Sequence, residues 1–189
     1  ILAPNPHNRQ PWLVDLAIEN QVTLYVDTDK LLPHTDPLNR QITVGLGCFL
    51  EVMSMAAAEQ GVRADIQLFP QGSDASGLTK APVATATFVT DATVKPDPLF
   101  AHVLQRRTLK EPFDMTKTVP QAALDAMLAS GRNGTRLAGV VDEKPVAELR
   151  ALTAKALQIE IDTPHTYKES VDLFRIGKSP LPRVSRDAV

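Results

Sequence analysis

Asp36-Pro-Leu-Asn-Arg-Gln-Ile-Thr-Val-Gly-Leu-Gly-Cys-Phe-Leu-Glu-Val-Met-Ser-Met-Ala-Ala-Ala58 is apolar nearly all round from residue 42 to residue 58, with Glu51 its single charge in that span. Asp36 supplies an N-cap and Pro37 a proline in the first turn, and Gly61 supplies the C-cap. A helix without a polar face is buried on several sides, so this one is expected at the centre of the molecule. Its length approaches that of a membrane span. Glu51, Ser54, Gly45 and Gly47 favour a packed interior helix instead.

Working outward, strands flank this helix on both sides. Residues 13–18 and 22–27 precede it, and 63–69 and 82–90 follow it. The last alternates Val83, Ala84, Thr85, Ala86, Thr87, Phe88 and Val89 with the two-residue period of β structure. Residues 70–81 carry Gly72, Ser73, Asp74, Ser76 and Gly77 and form a long loop. Beyond it, helices are expected over 96–107 and 119–129, and a strand over 136–141. An amphipathic helix over 144–161 is stopped by Pro164, and a last helix covers 166–176.

Upstream lies Pro4-Asn-Pro-His-Asn-Arg-Gln-Pro-Trp12. Each proline fixes its own φ and disfavours the helical region for the residue before it. Asn5, His7, Asn8, Arg9 and Gln10 are therefore expected on a stiff, extended stretch at a strand entrance. There, side-chain amides can read a ligand's donors and acceptors. A proline-rich surface turn is the structural alternative.

Composition bounds the function. At 43% hydrophobic and 22% charged, the 189 residues are ordinary for a globular protein. A net charge of −2 gives no basic face for nucleic acid or an anionic membrane, and 5% aromatics leave little for base stacking. The one cysteine, Cys48, excludes an intrachain disulfide and multi-cysteine metal sites. Inside an apolar helix it reads as a small buried hydrophobe. Asp27, Asp29, His34 and Asp36 could be drawn as a metal cluster, but Thr28, Lys30 and Pro33 among them describe a solvated turn. Gly45-Leu46-Gly47 lacks the third glycine of a dinucleotide fingerprint, and Asn133-Gly134-Thr135 meets the glycosylation pattern, which short sequences meet by chance. His102 and His165 have no partner at catalytic spacing, and no hydrolytic constellation is evident.

Ala3-Pro-Asn-Pro-His-Asn-Arg-Gln-Pro-Trp12 resembles the Ala-Pro-Ser-x-x-Asn-x-Gln-Pro-Trp segment of the nitroreductase family of FMN-dependent oxidoreductases, with Asn5 in place of its serine. Asp36-Pro-Leu-Asn-Arg-Gln41 and the helix after it resemble the central helix of that fold. The His-Asn-Arg-Gln-Pro-Trp and Asp-Pro-x-x-Arg forms are similar to the Acg-like branch, whose chains hold two nitroreductase-like halves in tandem. The likeness covers most of residues 3–160.

A second element, Arg106-Arg-Thr-Leu-Lys-Glu-Pro-Phe113 with Val119-Pro-Gln-Ala-Ala-Leu-Asp-Ala-Met-Leu128, resembles the start of a nitroreductase domain. In the family it precedes the Trp12-type segment, and here it follows it. Tandem duplication explains the order. Residues 1–102 are then expected to be the tail part of a first half and 103–189 the beginning of a second, within a longer protein. Ile1 is also not an initiator methionine. The second copy's counterpart, Asn133-Gly-Thr-Arg-Leu137, keeps the asparagine but lacks Gln, Pro and Trp, so no second site of equal strength is expected.

The resemblance implies an α+β, nitroreductase-like layered fold with a mainly antiparallel central sheet and a buried central helix, internally duplicated. Its halves would mimic the family dimer as a pseudo-dimer, or two chains would form a homodimer. It implies FMN as cofactor, NAD(P)H as transient electron donor, and a nitro-aromatic or quinone-like small molecule as acceptor. Arg106, Thr108 and Lys110 match the positions that hold the phosphate, where cations and a hydroxyl make charge-assisted hydrogen bonds. Asn5, His7, Asn8 and Gln10 match those that approach the flavin ring. Without the resemblance, 106–110 is a solvated basic helix end. No catalytic side chain and no metal is implied, because the cofactor carries the chemistry. The alternative is a protein that binds or sequesters FMN with little turnover. The expected location is the bacterial cytoplasm, or the periplasm by twin-arginine export should a signal precede Ile1.

Overall fold

Leu24 and Val26 turn inward from a strand whose other residues are only half-buried, and this strand is the second of a four-stranded antiparallel sheet. The strands are β1 (Trp12–Asp15), β2 (Gln21–Val26), β3 (Val62–Leu68) and β4 (Ala84–Thr90), in the order β1-β2-β4-β3. The computed structural model describes residues 2–73, 77–109, 111–132 and 134–174. Each strand overlaps an expected span, although β1 ends at Asp15 and does not reach residue 18, and the fold is α+β with an antiparallel sheet. In the register Leu24 stands opposite Ala84, and Val22 opposite Ala86. The small alanines of β4 leave room for a helix above them.

That helix is α1 (Arg40–Ala58). Ile42, Leu46 and Leu50 are buried with Leu24, Val26, Leu32, Val83 and Ala84 in one cluster, and Trp12, Phe49 and Met53 close over it. Trp12 meets Phe49 with ring centroids 5.2 Å apart. Trp12 is thus partly buried against the core. The expectation that the helix is buried on several sides is corrected: Gln41, Thr43, Val44, Gly47 and Glu51 are exposed, and Val44 reaches 66%. Spacing of four aligns Ile42, Leu46 and Leu50 on one side, and only that side meets the sheet. Among the described residues α1 is the one helix long and apolar enough by composition to cross a membrane.

The helix start also differs from expectation. Asn39, in the left-handed region (φ 54°), occupies the N-cap position without a side-chain cap bond. Asp36, buried three residues earlier, does the capping: its two carboxylate oxygens accept from the backbone N–H of Arg40 (2.8 Å) and of Ile42 (3.0 Å). The intervening turn at 37–39 brings it back over the helix end. Gly61 has φ 68° after the last turn, as a helix-terminating glycine needs. At the β3 edge, Arg63 forks onto Asp65 (2.7 and 3.2 Å) and also reaches Asp91, a charged group that blunts an open strand edge.

The chain divides into two units, residues 1–106 with 165–189, and residues 107–164. The second unit contains α2 (Gln121–Ala129) and α3 (Glu143–Asp162). Thr163 ends α3 in extended conformation before Pro164, as expected of a pre-proline residue. Pro164 then opens α4 (Pro164–Leu173), most of which belongs to the first unit; the remainder of the helix expected to 176 lies outside the described residues.

Two expected elements do not form. Instead of a helix over 96–107 there is a short 3-10 turn, Pro98–His102, started by the Asp97 side chain on the Leu99 amide (2.9 Å). The apolar run there is too short to sustain an α-helix without a packed face. Instead of a strand, 136–141 is irregular. No strand lies beside it in the second unit's described residues, and Gly139 presses on Leu124 of α2 so closely that a Cβ would sit 2.6 Å from Leu124 Cδ1.

Candidate functional site

The segment before β1 is folded, not extended. Asn5 Oδ1 accepts from the Gln10 backbone N–H (2.8 Å), closing a loop around the 3-10 turn Pro6–Asn8, while Asn5 Nδ2 donates to the Ala3 carbonyl (3.1 Å). His7, Asn8 and Gln10 are held at φ 49°, 51° and 51°. Left-handed backbone costs an ordinary L-residue about 1–2 kcal/mol, so external bonds must hold it. Arg9 donates to the carbonyls of Lys30 (3.1 Å) and Asp29 (3.0 Å), and Lys30 Nζ donates back to the Gln10 carbonyl (3.2 Å). Asn5, before Pro6, is extended as expected, but Gln10 before Pro11 is not, and the Asn5 side chain supplies a competing local acceptor.

This turn lies against α1. A Cβ on Gly45 would come within 3.1 Å of Asn5 Cβ and 3.3 Å of Pro6 Cδ, so glycine is what permits the approach. Between the two elements opens a cleft of about 650 Å³. Pro4, Asn5 and Pro6 form one wall, and Asp36, Arg40, Gln41, Val44, Gly45 and Cys48 form the other. Cys48 is therefore half-buried at a cleft, not a closed core residue. Burial pushes its thiol up, and the positive charge of Arg106 pulls against that rise. Arg106 also donates to the Leu2 carbonyl at 3.4 Å.

Of the residues expected to bind the cofactor, the structure thus brings Asn5 and Arg106 to the same region of the first unit. His7 and Asn8 are exposed on the turn behind Asn5, and Gln10 Nε2 reaches Asn8 Oδ1 at 3.4 Å. Thr108 is exposed and belongs to the second unit; Lys110 lies outside the described residues, as does Asn133. Arg40 and Gln41 line the cleft without having been singled out. Their signal was their position just after Asp36, in a first helical turn that a side-chain cap leaves facing outward.

The acidic residues drawn as a metal cluster have structural tasks. Asp27 accepts from the Asp29 amide (3.2 Å) and pairs with Lys30 (3.3 Å), and Asp36 caps α1. Among the described residues no group of three His, Cys, Asp or Glu side chains is placed to hold a metal. His34 and His165, 131 positions apart in sequence, meet edge to face with centroids 5.0 Å apart. No spacing rule reveals such a pair.

The chain is similar to a nitroreductase-named protein. Over 112 residues, 59% of this chain and 32% of the relative, it is 34% identical to a Mycobacterium tuberculosis protein provisionally named NAD(P)H nitroreductase acg, found in strains CDC 1551 and H37Rv. An uncharacterized protein of the same organism is 30% identical over 115 residues, 59% of this chain and 33% of its own. The chain spans about a third of the length of these curated relatives. No protein-family model matches it.

Proposed function

We propose that this chain is part of an FMN-dependent oxidoreductase of the nitroreductase family, Acg-like branch, built from two tandem halves that meet as a pseudo-dimer. In this reading NAD(P)H is the electron donor, a nitro-aromatic or quinone-like molecule is the acceptor, and the protein works in the cytoplasm, where reduced nicotinamides are held. The observation that carries the reading is the cleft between the Pro4–Pro6 wall and α1, which Asn5 lines and beside which Arg106 acts on the cleft-lining Cys48. The similarity to the mycobacterial protein named as a nitroreductase supports it.

The residues present fit the cofactor. A volume of about 650 Å³ lies within the range of about 300–1,000 Å³ usual for small-molecule sites. Pro4, Pro6, Val44 and the bare backbone of Gly45 offer apolar surface for a planar ring. The amides of Asn5 and Gln41 offer donors and acceptors at its polar edge. Arg40 and Arg106 offer cations for a phosphate. Each Asn5 amide atom is half-used by the turn, so one donor hydrogen and one lone pair remain for a ligand. Asn8 and Gln10 serve by holding the turn that presents Asn5, and His7 stands exposed on that turn. The chemistry FMN supplies when bound is hydride acceptance from NAD(P)H and electron delivery to the acceptor. The chain itself binds, orients and excludes water, and no side chain need move a proton.

Titration of the full-length protein with FMN, followed by quenching of flavin fluorescence, tests the site. Arg106→Ala is expected to weaken FMN binding about tenfold or more, since a hydrogen bond to a charged group is worth about 1.5–3 kcal/mol. Unchanged affinity would remove Arg106 from the site. Gly45→Val is expected to weaken binding at least as much, because its side chain displaces Asn5 and Pro6 from α1. The far-ultraviolet spectrum of that variant should stay unchanged, since replacing a mid-helix glycine improves intrinsic helix propensity by a few tenths of a kcal/mol.

A further inference from the structure

After the second unit the chain returns to the first through α4, and one side chain of α4 reaches the approach to α1. The Glu169 carboxylate accepts three hydrogen bonds from a single turn: the His34 backbone N–H at 3.2 Å, the Thr35 backbone N–H at 2.7 Å and the Thr35 hydroxyl at 2.6 Å. His165, one turn earlier on α4, packs on the His34 ring, and Leu173 packs against the core cluster. The residue after Thr35 is Asp36. Its backbone N–H donates to the Leu32 carbonyl (2.8 Å), and its carboxylate caps Arg40 and Ile42. Arg40 and Gln41 stand on the cleft wall. An unbroken chain of bonded groups therefore runs from α4 to the first turn of α1.

We propose that Glu169 is a positioning residue for the cleft: by fixing residues 34–35 it fixes Asp36, and through that cap the helical turn that presents Arg40 and Gln41. The consequence for flavin rests on the reading of the cleft given above, whereas the mechanical link to α1 does not. A carboxylate suits the task because both oxygens accept and neither donates, so three donors converge without conflict. A glutamine at the same place must turn an NH2 group toward one of them.

Burial pushes the Glu169 carboxyl up, but the hydrogen bonds from Thr35 and His34 outweigh it and hold the group below the usual carboxylate range. Its stabilising contribution is complete above the ordinary glutamate range and is lost as pH falls through the lowered value. Other charged and titratable groups lining this region are Arg9, His34, His165, Lys168 and Asp172. Lys168 is engaged with Asp172 (2.7 Å) and Arg9 with the carbonyls of Asp29 and Lys30.

The test is amide hydrogen exchange on the full chain for the wild type, Glu169→Ala and Glu169→Gln, each with and without added FMN. In Glu169→Ala, exchange at Thr35 should rise about tenfold, as expected for loss of a hydrogen bond to a charged group. Exchange at Arg40 and Ile42 should rise about fivefold, the low end of coupling between linked sites. Leu24 and Ala84 in the sheet should not change. Glu169→Gln should fall between the two proteins, and FMN affinity should drop in the same order, by about fivefold in Glu169→Ala. Acidification through the Glu169 range should raise exchange at the Thr35 amide, from which Glu169 itself accepts, in the wild type more than in Glu169→Gln once intrinsic rates are corrected. Arg40 and Ile42 are left out of this comparison because Asp36, a carboxylate present in both proteins, accepts from their amides directly. Faster exchange at Thr35 with Arg40 and Ile42 unmoved would overturn the proposal, as would the same acid response in both proteins. If Arg40 and Ile42 respond while no form binds FMN, the positioning role stands and the flavin reading of the cleft falls.

Discussion

Leu24→Ala is expected to destabilise the first unit by about 2–5 kcal/mol, the range for truncating a buried leucine. Leu24 has no solvent exposure, stands opposite Ala84 in the sheet and lies in the cluster that holds Ile42, Leu46 and Leu50 of α1. The alanines of β4 offer no side chain able to move into the space. A domain has about 5–15 kcal/mol in total, so this single change removes a large share. Urea unfolding should show a lower midpoint at constant slope. Val44→Ala, on the open side of α1, should change stability by less than about 0.5 kcal/mol. A loss below about 1 kcal/mol for Leu24→Ala would mean that the core is not centred where β2 meets α1.

Asp36→Ala is the second large effect, at about 3 kcal/mol. The lost carboxylate accepts from two helix-end amides, and the Ile42 amide belongs to a fully buried residue. Loss of a cap alone costs about 0.5–2 kcal/mol, and a buried donor left without its charged acceptor adds about 1–3 kcal/mol. Asp36→Asn keeps one acceptor oxygen and should recover about half of the loss. Thermal unfolding of the three proteins decides it: equal melting temperatures for Asp36→Ala and the wild type would show that the cap contributes nothing. Because Asp36 also lines the cleft, the alanine variant should bind FMN more weakly than its loss of stability alone accounts for.

Much of the first unit was legible in the sequence, and the reasons are local. The alternation from Val83 to Val89 marked β4, and the apolar run over residues 42–58 marked α1, but neither reading said which face turns inward. The outward face of α1 was misread because apolar composition reports an aptitude for burial but not what covers the helix. One helix lying on four strands is met by the sheet along a single stripe. The 136–141 segment has strand composition but, among the described residues of the second unit, no strand to pair with, and pairing is not a local property.

The candidate site was legible in part. Asn5 and Arg106 were expected at the site through the family resemblance; Asn5 lines the cleft on α1, and Arg106 reaches the Leu2 carbonyl and acts on the Cys48 thiol beside it. The folding of 4–10 into a tight turn was not foreseen, because it depends on one side chain, Asn5, outcompeting the extended preference set by three prolines. Arg40 and Gln41 were read only as part of the Asp36–Gln41 helix start, with no site role, because the sequence does not show which surface that turn faces. Glu169 and the His34–His165 contact were out of reach of any spacing argument, since 134 and 131 residues separate the partners.

The central claim is that the cleft on α1 holds a flavin that takes electrons from a nicotinamide. Anaerobic mixing of the FMN-loaded full-length protein with NADH, and separately with NADPH, tests it most directly by following flavin absorbance. Rapid bleaching with at least one donor, reversed on adding a nitro-aromatic or a quinone, is the predicted result. A bound flavin that stays oxidised with both donors would contradict the claim and leave a protein that holds FMN without turning it over.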